Sequence, residues 1–163
     1  MKYFLDTEFH EYKNNGINTI ELISIGIVCD DGREYYAESD DVNLSAAVAN
    51  EWLNKNVLSN LVSNEKLSND SIATDIKDFI GEDKPEFYGY FADYDWVVFC
   101  WLFGRMIDLP KGFPYYCKDL KQMMDDKGLT KEWKQENCPD PVGEHNALVD
   151  ARWNFELYKK IIQ

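Results

Sequence analysis

The chain has 163 residues and a mass of 19.1 kDa, the length of one ordinary domain, so we treat residues 1–163 as a single unit. A hydrophobic content of 45% excludes an intrinsically disordered chain, and no apolar run reaches the roughly 20 residues of a membrane span. A net charge of −13 argues against nucleic-acid binding through a broad basic surface. Four scattered cysteines without a CxxC pair, and no signal-peptide pattern, lead us to expect reduced thiols in a cytoplasmic protein.

The N-terminal part of the chain predicts three consecutive antiparallel strands. The apolar run at 2–8 becomes acidic at its end and is followed by a polar turn at 14–16. Residues 19–29 are rich in β-branched side chains, which favours a largely buried strand. The sequence DDG at 30–32 is a hairpin signal, so residues 33–39 are predicted to return as the third strand.

The rest of the chain has mainly helical patterns, with one further strand. In order, the sequence predicts one or two helices over 42–61, a helix over 71–80, a strand over 86–91, helices over 95–103 and 116–127, a loop at 139–141 and a last helix over 146–162. The last helix carries an apolar stripe that predicts its core face: Leu148, Ala151, Phe155, Tyr158 and Ile162. This order indicates an α/β domain with a mixed sheet flanked by helices.

Two carboxylates, Asp6 and Glu8, stand at the end of the first predicted strand. Side chains two residues apart in a strand point to the same face, so these acids would repel each other and be costly to bury. A hard divalent cation with oxygen ligands removes that cost. The alternative is that the strand ends at Leu5 and both acids lie in a solvated turn, because a D-x-E pair alone is weak support for a metal site.

A third acid, Asp95, falls where a strand is predicted to pass into a helix, a place where loops carry functional groups beyond the sheet edge. Asp93 is predicted to be the N-cap of that helix, which would end at Gly104. Either acid can be purely structural, and neither predicts catalysis by itself.

His145 and Asp150 form the last candidate pair. Five residues in an unbroken helix separate two side chains by about 140°, so they converge only if His145 lies on the loop before the helix and Asp150 in its first turns. A loop histidine beside an acidic cluster is a candidate general base. The alternative is an ordinary histidine at a helix start.

Taken in order, D-x-E, then D, then H-x(4)-D is a specific pattern. The motifs YFLDTEF, FADYDWVVF and EHNALVDAR resemble those of the DEDD superfamily of 3′–5′ exonucleases, in the branch with a histidine (DEDDh), and the resemblance covers essentially the whole chain. Within that branch the chain is most similar to the small bacterial and phage group of ribonuclease AS-like 3′–5′ exoribonucleases. Phe9, His10 and Glu11 depart from the small residue and glycine expected after the first motif, and Asp93 replaces a frequent asparagine.

The resemblance implies a ribonuclease H-like fold and two divalent ions, Mg²⁺ or Mn²⁺. It implies that Asp6, Glu8 and Asp150 bind the first ion. Asp6 would bridge to the second ion, which Asp95 would support, while His145 takes the proton from the attacking water. Two such ions favour phosphodiester hydrolysis because they stabilise charge on the attacking and leaving oxygens.

The expected activity is hydrolysis of single-stranded RNA from its 3′ end to nucleoside 5′-monophosphates. Thr7, Phe9 and Trp96 are the expected substrate-binding residues, and His10 and Tyr12 are further candidates for stacking on the terminal base. The alternatives are a DNA-directed or oligonucleotide-limited exonuclease, and a non-catalytic domain that binds nucleic-acid ends. A calcium-binding acidic protein is disfavoured because the alternating D-x-D-x-D loop is absent from the sequence.

The helix predicted around 96–103 is unusually apolar. Seven of its eight residues are large and apolar, more than one buried stripe requires. Either both faces are covered within the domain, or one face forms a homodimer contact.

Overall fold

The centre of the fold is a five-stranded sheet, seen in a computed structural model that describes residues 1–63 and 65–163. Its strands are β1 (Lys2–Asn14), β2 (Ile17–Cys29), β3 (Glu34–Glu38), β4 (Glu86–Gly89) and β5 (Lys118–Asp119). They lie in the order β3-β2-β1-β4-β5. The pairs β1–β2 and β2–β3 are antiparallel, whereas β1–β4 and β4–β5 are parallel. This confirms the predicted α/β class, with three antiparallel N-terminal strands, parallel strands and flanking helices.

The described residues form seven α-helices and two short 3₁₀ turns around the sheet. The helices are α1 (Leu44–Ala49), α2 (Glu51–Asn56), α3 (Asn69–Ile80), α4 (Asp93–Leu102), α5 (Leu120–Asp126), α6 (Lys131–Asn137) and α7 (Ala147–Ile161), and the 3₁₀ turns are Leu58–Asn60 and Met106–Asp108. None of these helices combines the length and the apolar character that crossing a bilayer requires. The region 42–61 thus contains two helices, within the one or two that its pattern predicts, and also a 3₁₀ turn that was not predicted.

The two faces of the sheet bury different sets of side chains. Tyr3 and Leu5 point to one face, where they pack with residues of α3 and α4, and Phe4 points to the other, where it packs with residues of α5 and α7. This follows from the two-residue period of a strand. The sheet is therefore the middle layer of a three-layer domain, and β1 contributes to both cores.

The core face of α7 differs from the predicted stripe. Ile162 is exposed, and Leu148, Phe155 and Tyr158 are only partly buried. The fully buried positions are Ala147, Ala151, Trp153, Asn154, Leu157 and Ile161. The start of the helix sets this face, because it lies so close to β2 that a Cβ added to Gly26 would be 2.3 Å from the carbonyl oxygen of Ala147.

Two predictions at helix starts were wrong, and one helix was missed. Asp93 is not the N-cap of α4; Ala92 holds that position, and its N–H donates to the Asp119 carboxylate at 2.8 Å. Helix α5 starts at Leu120 rather than 116, because Lys118–Asp119 pairs with β4 and Asp119 then caps the helix. Helix α6 was not predicted at all.

Strand β1 extends well beyond its parallel neighbour. Phe4 pairs with Tyr88, and β4 ends at Gly89, so among the described residues the backbone from Asp6 onward has no strand partner on that side. A register shift follows between Glu8 and Phe9, as bulges often do beside functional sites. The alternative that β1 ends at Leu5 was wrong, and both acids lie in the strand at the open end of β4.

Candidate metal centre and active site

Asp6, Glu8 and Asp150 form one acidic cluster. A carboxylate oxygen from each lies within 4.8 Å of the other two. Asp6 and Glu8 alternate with Thr7 along β1 and face the layer that contains α7, whose first turn contributes Asp150. The structure thus brings together three acids of which the first and the last, Asp6 and Asp150, are 144 residues apart in the chain.

Helix α7 is fixed against β1 at the level of the cluster. Asn154, one turn after Asp150, is buried and donates its side-chain N–H to the Leu5 carbonyl at 2.9 Å. Asn146 caps the helix by accepting the Val149 N–H, which defines where the first turn begins. Sequence reasoning missed Asn154, because an asparagine in a helix gives no signal until its partner strand is known.

Burial and mutual repulsion raise the pKa values of the clustered acids. Burial, followed by the charges of Asp150 and Asp95, raises the pKa of Glu8 to about 8, and burial raises that of Asp6 well above its ordinary value. Burial also raises the pKa of Asp150 to about 6, although the His145 N–H bond at 2.8 Å favours its charged form. Carboxylates crowded without a cationic partner are the donor set that a divalent cation such as Mg²⁺ or Mn²⁺ prefers.

Asp95 lies beside this cluster but is held differently. Its Oδ1 accepts two hydrogen bonds from Thr7, at 2.8 Å from the backbone N–H and at 2.6 Å from the hydroxyl. Burial raises the pKa of Asp95 to about 6 against the effect of these bonds. Thr7 is itself buried, so the structure places it beneath Asp95 as an orienting residue.

The loop before α7 carries His145, as the sequence predicts. His145 has a φ of 67°, in the left-handed region that a non-glycine residue rarely adopts. Besides the bond from its N–H to Asp150, the loop is tied to the 3₁₀ turn at 58–60. The Asn60 side chain donates to the Glu144 carbonyl at 3.3 Å, and the Asn146 side chain donates to the Asn60 carbonyl at 3.2 Å.

The imidazole ring of His145 also has an aromatic neighbour. The Trp52 ring meets it edge-on with the ring centroids 4.9 Å apart. Trp52 lies on α2 and is 54% exposed, so it stands at the edge of the site. Neither Trp52 nor Asn60 was identified from the sequence, because only the tertiary fold brings this segment to the His145 loop.

A cavity of about 680 Å³ opens over the cluster and is lined by Asp6, Glu8, Asp95, His145 and Asp150, together with Thr7 and Phe9. The Phe9 ring stacks on the ring of Tyr94, with centroids 5.9 Å apart. Phe91 also lines the cavity and is 62% exposed. The cavity therefore offers aromatic surfaces next to the acids.

The structure does not bring the other expected substrate residues to this cavity. Trp96 packs against Phe87 and Phe99 in the core on the far side of the sheet, and its ring N–H donates to the Tyr115 carbonyl. His10 is buried and stacks on Tyr12, with ring centroids 4.4 Å apart. Both residues thus have structural neighbours that account for their positions.

Known proteins resemble this chain over nearly its whole length. A family model described as the 3′-5′ exoribonuclease Rv2179c-like domain matches residues 1–162. Two curated proteins of Mycobacterium tuberculosis, the 3′-5′ exoribonucleases Rv2179c (strain H37Rv) and MT2234.1 (strain CDC 1551), are each 38% identical to the chain over 167 residues. Each match covers 99% of this chain and 93% of the relative's length. The chain therefore belongs to the Rv2179c-like 3′–5′ exoribonuclease domain family.

Proposed function

We propose that this protein is a metal-dependent 3′–5′ exoribonuclease of the DEDDh type, which hydrolyses single-stranded RNA to nucleoside 5′-monophosphates. The observation that carries the proposal is the convergence of Asp6, Glu8 and Asp150 within 4.8 Å, at the floor of a cavity that His145 also lines. The exoribonuclease names of the two relatives supply the expected direction and substrate.

Asp6, Glu8 and Asp150 would hold one divalent ion, and Asp6 with Asp95 a second. When bound, two such ions stabilise negative charge on the attacking and leaving oxygens of a phosphodiester. The residues fit this role, because their raised pKa values come from burial and from repulsion that bound cations relieve. Thr7 occupies only Oδ1 of Asp95, which leaves Oδ2 for a ligand or an ordered water.

His145 acts as the general base in this proposal. Its backbone N–H, and not its ring, donates to Asp150, so this contact leaves the ring nitrogens available for proton transfer with water. The links to Asn60 and the edge of the Trp52 ring orient the loop and the imidazole. A non-catalytic domain that only binds RNA ends would have no use for this arrangement.

Phe9 provides the stacking surface for the terminal nucleotide, supported from behind by Tyr94. Thr7 contributes indirectly, by fixing the Asp95 carboxylate.

The experiment that tests the proposal uses labelled RNA and DNA oligomers of equal sequence with Mn²⁺ or Mg²⁺. We expect stepwise shortening of the RNA from the 3′ end, release of nucleoside 5′-monophosphates, and loss of cleavage in chelator. Faster cleavage of DNA would make the protein a DNA-directed exonuclease, and binding without cleavage would make it an end-binding domain. Full activity in chelator would contradict the two-metal mechanism.

We also propose that the protein is a cytoplasmic homodimer. All four cysteines are free, as reduced thiols require. The exposed face of α4 carries Tyr94, Val97 and Trp101, which are 48%, 39% and 55% exposed, while the opposite face of the helix is buried in the domain. Sedimentation equilibrium should give twice the monomer mass, and Trp101→Glu should shift it toward the monomer. A mass of 19.1 kDa for the wild type at micromolar concentration would contradict the dimer.

A further inference from the structure

A second part of the cavity differs in charge from the acidic cluster. Helices α5 and α6 contribute three lysines to its wall, Lys121, Lys131 and Lys134. We call these three residues the lysine wall. The function proposed above makes no use of them, and the net charge of the chain gives no hint of them.

Each member of the lysine wall is held differently. Lys134 is buried, forms an ion pair with Asp140, and lies 4.9 Å from the Trp153 ring centroid. Lys121 is half-buried and pairs with Asp125 one turn further along α5. Lys131 is exposed and has no ion pair among the described residues. Its ammonium group is therefore free to meet an anion in the cavity.

The arginines of the chain have other partners. Its three arginines, Arg33, Arg105 and Arg152, all form ion pairs with surface carboxylates. Six carboxylates line the cavity, so its positive charge, apart from metal ions, comes in the described residues from the lysine wall. A single phosphate at the acidic cluster would leave Lys131 without an anionic partner among the described residues.

We infer that the lysine wall binds a second phosphate of the RNA, the one immediately upstream of the phosphodiester that is cleaved. This inference rests on the function proposed above. The cavity volume of about 680 Å³ lies in the upper half of the range for drug-sized ligands, which gives room for more than one nucleotide. Lysine binds phosphate as a point charge and therefore recognises the backbone regardless of the base.

The test compares substrates that differ only at the upstream phosphate. Adenylyl-adenosine (ApA) has only the scissile phosphate, its 5′-phosphorylated form (pApA) adds a monoester upstream, and ApApA adds a diester there. We expect the wild type to have a kcat/KM roughly 5- to 10-fold higher for pApA and ApApA than for ApA, the effect of one charge-assisted contact. Lys131→Ala should remove most of this difference and leave cleavage of ApA nearly unchanged.

The matched control is Lys77→Ala, which removes an exposed lysine of α3 outside the cavity. Lys77→Ala should keep the wild-type ratio of kcat/KM for pApA to kcat/KM for ApA. Binding of a labelled RNA oligomer supplies a readout besides turnover, because Lys131→Ala should lower the slope of log affinity against log salt by about 1 and Lys77→Ala should not.

Equal kcat/KM of the wild type for ApA and pApA would overturn the inference while leaving the exoribonuclease proposal intact. An equal loss on ApA and pApA in Lys131→Ala would also overturn it, since the lysine would then act on the terminal nucleotide. No cleavage of any RNA by the wild type would instead contradict the proposed function.

Discussion

The clustered carboxylates of the cavity and the arginine-paired carboxylates of the outer surface behave in opposite ways. At the surface, Asp31 accepts hydrogen bonds from the backbone and guanidinium of Arg33, and Asp108 accepts them from Arg105; these bonds lower the pKa of each carboxyl to about 2. In the cavity, burial raises the pKa of Glu8 to about 8 and that of Asp150 to about 6. These acids thus form two groups: surface carboxylates whose pKa values are lowered by a neighbouring arginine, and buried cavity carboxylates whose pKa values are raised.

The difference shows how a strongly acidic chain can act on a polyanion. Asp31 and Asp108 are each paired with an arginine of the protein, whereas the clustered cavity acids are crowded together and, in the proposed mechanism, depend on cations from solution. The net charge of −13 is therefore a poor guide to the charge that RNA meets in the cavity.

The largest effect is expected for Asp6→Asn. In the proposed mechanism the Asp6 carboxylate would help to hold both ions, and an amide lacks the negative charge for this, so turnover should fall nearly to background while the fold remains. Asp31→Asn is the matched control from the surface group and should leave turnover unchanged. Circular dichroism checks that each variant is folded, and single-turnover cleavage measures its activity. More than about a tenth of wild-type activity in Asp6→Asn would place the metal centre elsewhere.

His145→Ala should reduce turnover by roughly 10²–10⁴-fold, the usual effect of losing a positioned acid–base group. Calorimetric titration should show unchanged Mn²⁺ binding, because the ring is not a ligand in the proposed arrangement. Loss of Mn²⁺ binding would instead make His145 a ligand, and unchanged cleavage would make it an ordinary residue at a helix start.

The pH dependence of stability should separate the two groups of acids. Between its ordinary pKa and about 8, Glu8 binds a proton in the folded state that the unfolded state lacks, so the metal-free protein should lose stability as pH rises. One such proton is worth up to about 1.4 kcal/mol per pH unit. The pKa of Asp31 is shifted in the opposite direction. Its contribution to the stability of the folded state is therefore present above about pH 4 and is lost only toward pH 2.

Thermal melting in chelator at pH 6 and pH 8 measures this effect. The melting temperature of the wild type should fall by several degrees at the higher pH, and that of Glu8→Gln should fall less. Added Mg²⁺ should remove most of the decrease, since bound cations stabilise the ionised carboxylates. Equal melting temperatures of the wild type at the two pH values in chelator would contradict the raised pKa that burial and repulsion give Glu8.

The smallest effect is expected for Asp93→Asn. Asp93 is exposed in the first turn of α4, only two residues before Asp95, but it neither caps the helix nor lines the cavity. Turnover should stay within about twofold of the wild type, and stability should change by less than about 0.5 kcal/mol, as for ordinary surface substitutions. A large loss of turnover in Asp93→Asn would indicate that this exposed acid also takes part in catalysis.

The sequence alone determined the class of fold and the candidate catalytic residues. Alternation and β-branched residues predicted the first three strands, and helical spacing predicted most of the helices, because both are local patterns. Asp6, Glu8, Asp95, His145 and Asp150 were identified by their order in the chain and by the family resemblance, and the structure brings all five to one cavity.

Tertiary structure decided what depends on distant partners. The close approach of α7 to Gly26 sets which face of the helix is buried. The N-cap of α4, Ala92, is held by the Asp119 carboxylate, which accepts its N–H. The placement of Trp96 in the core, the contact of Trp52 with His145, and the lysine wall follow from which elements the fold packs together. Periodicity and propensity describe neighbours along the chain, whereas these contacts join residues far apart in it, so only the folded chain specifies them.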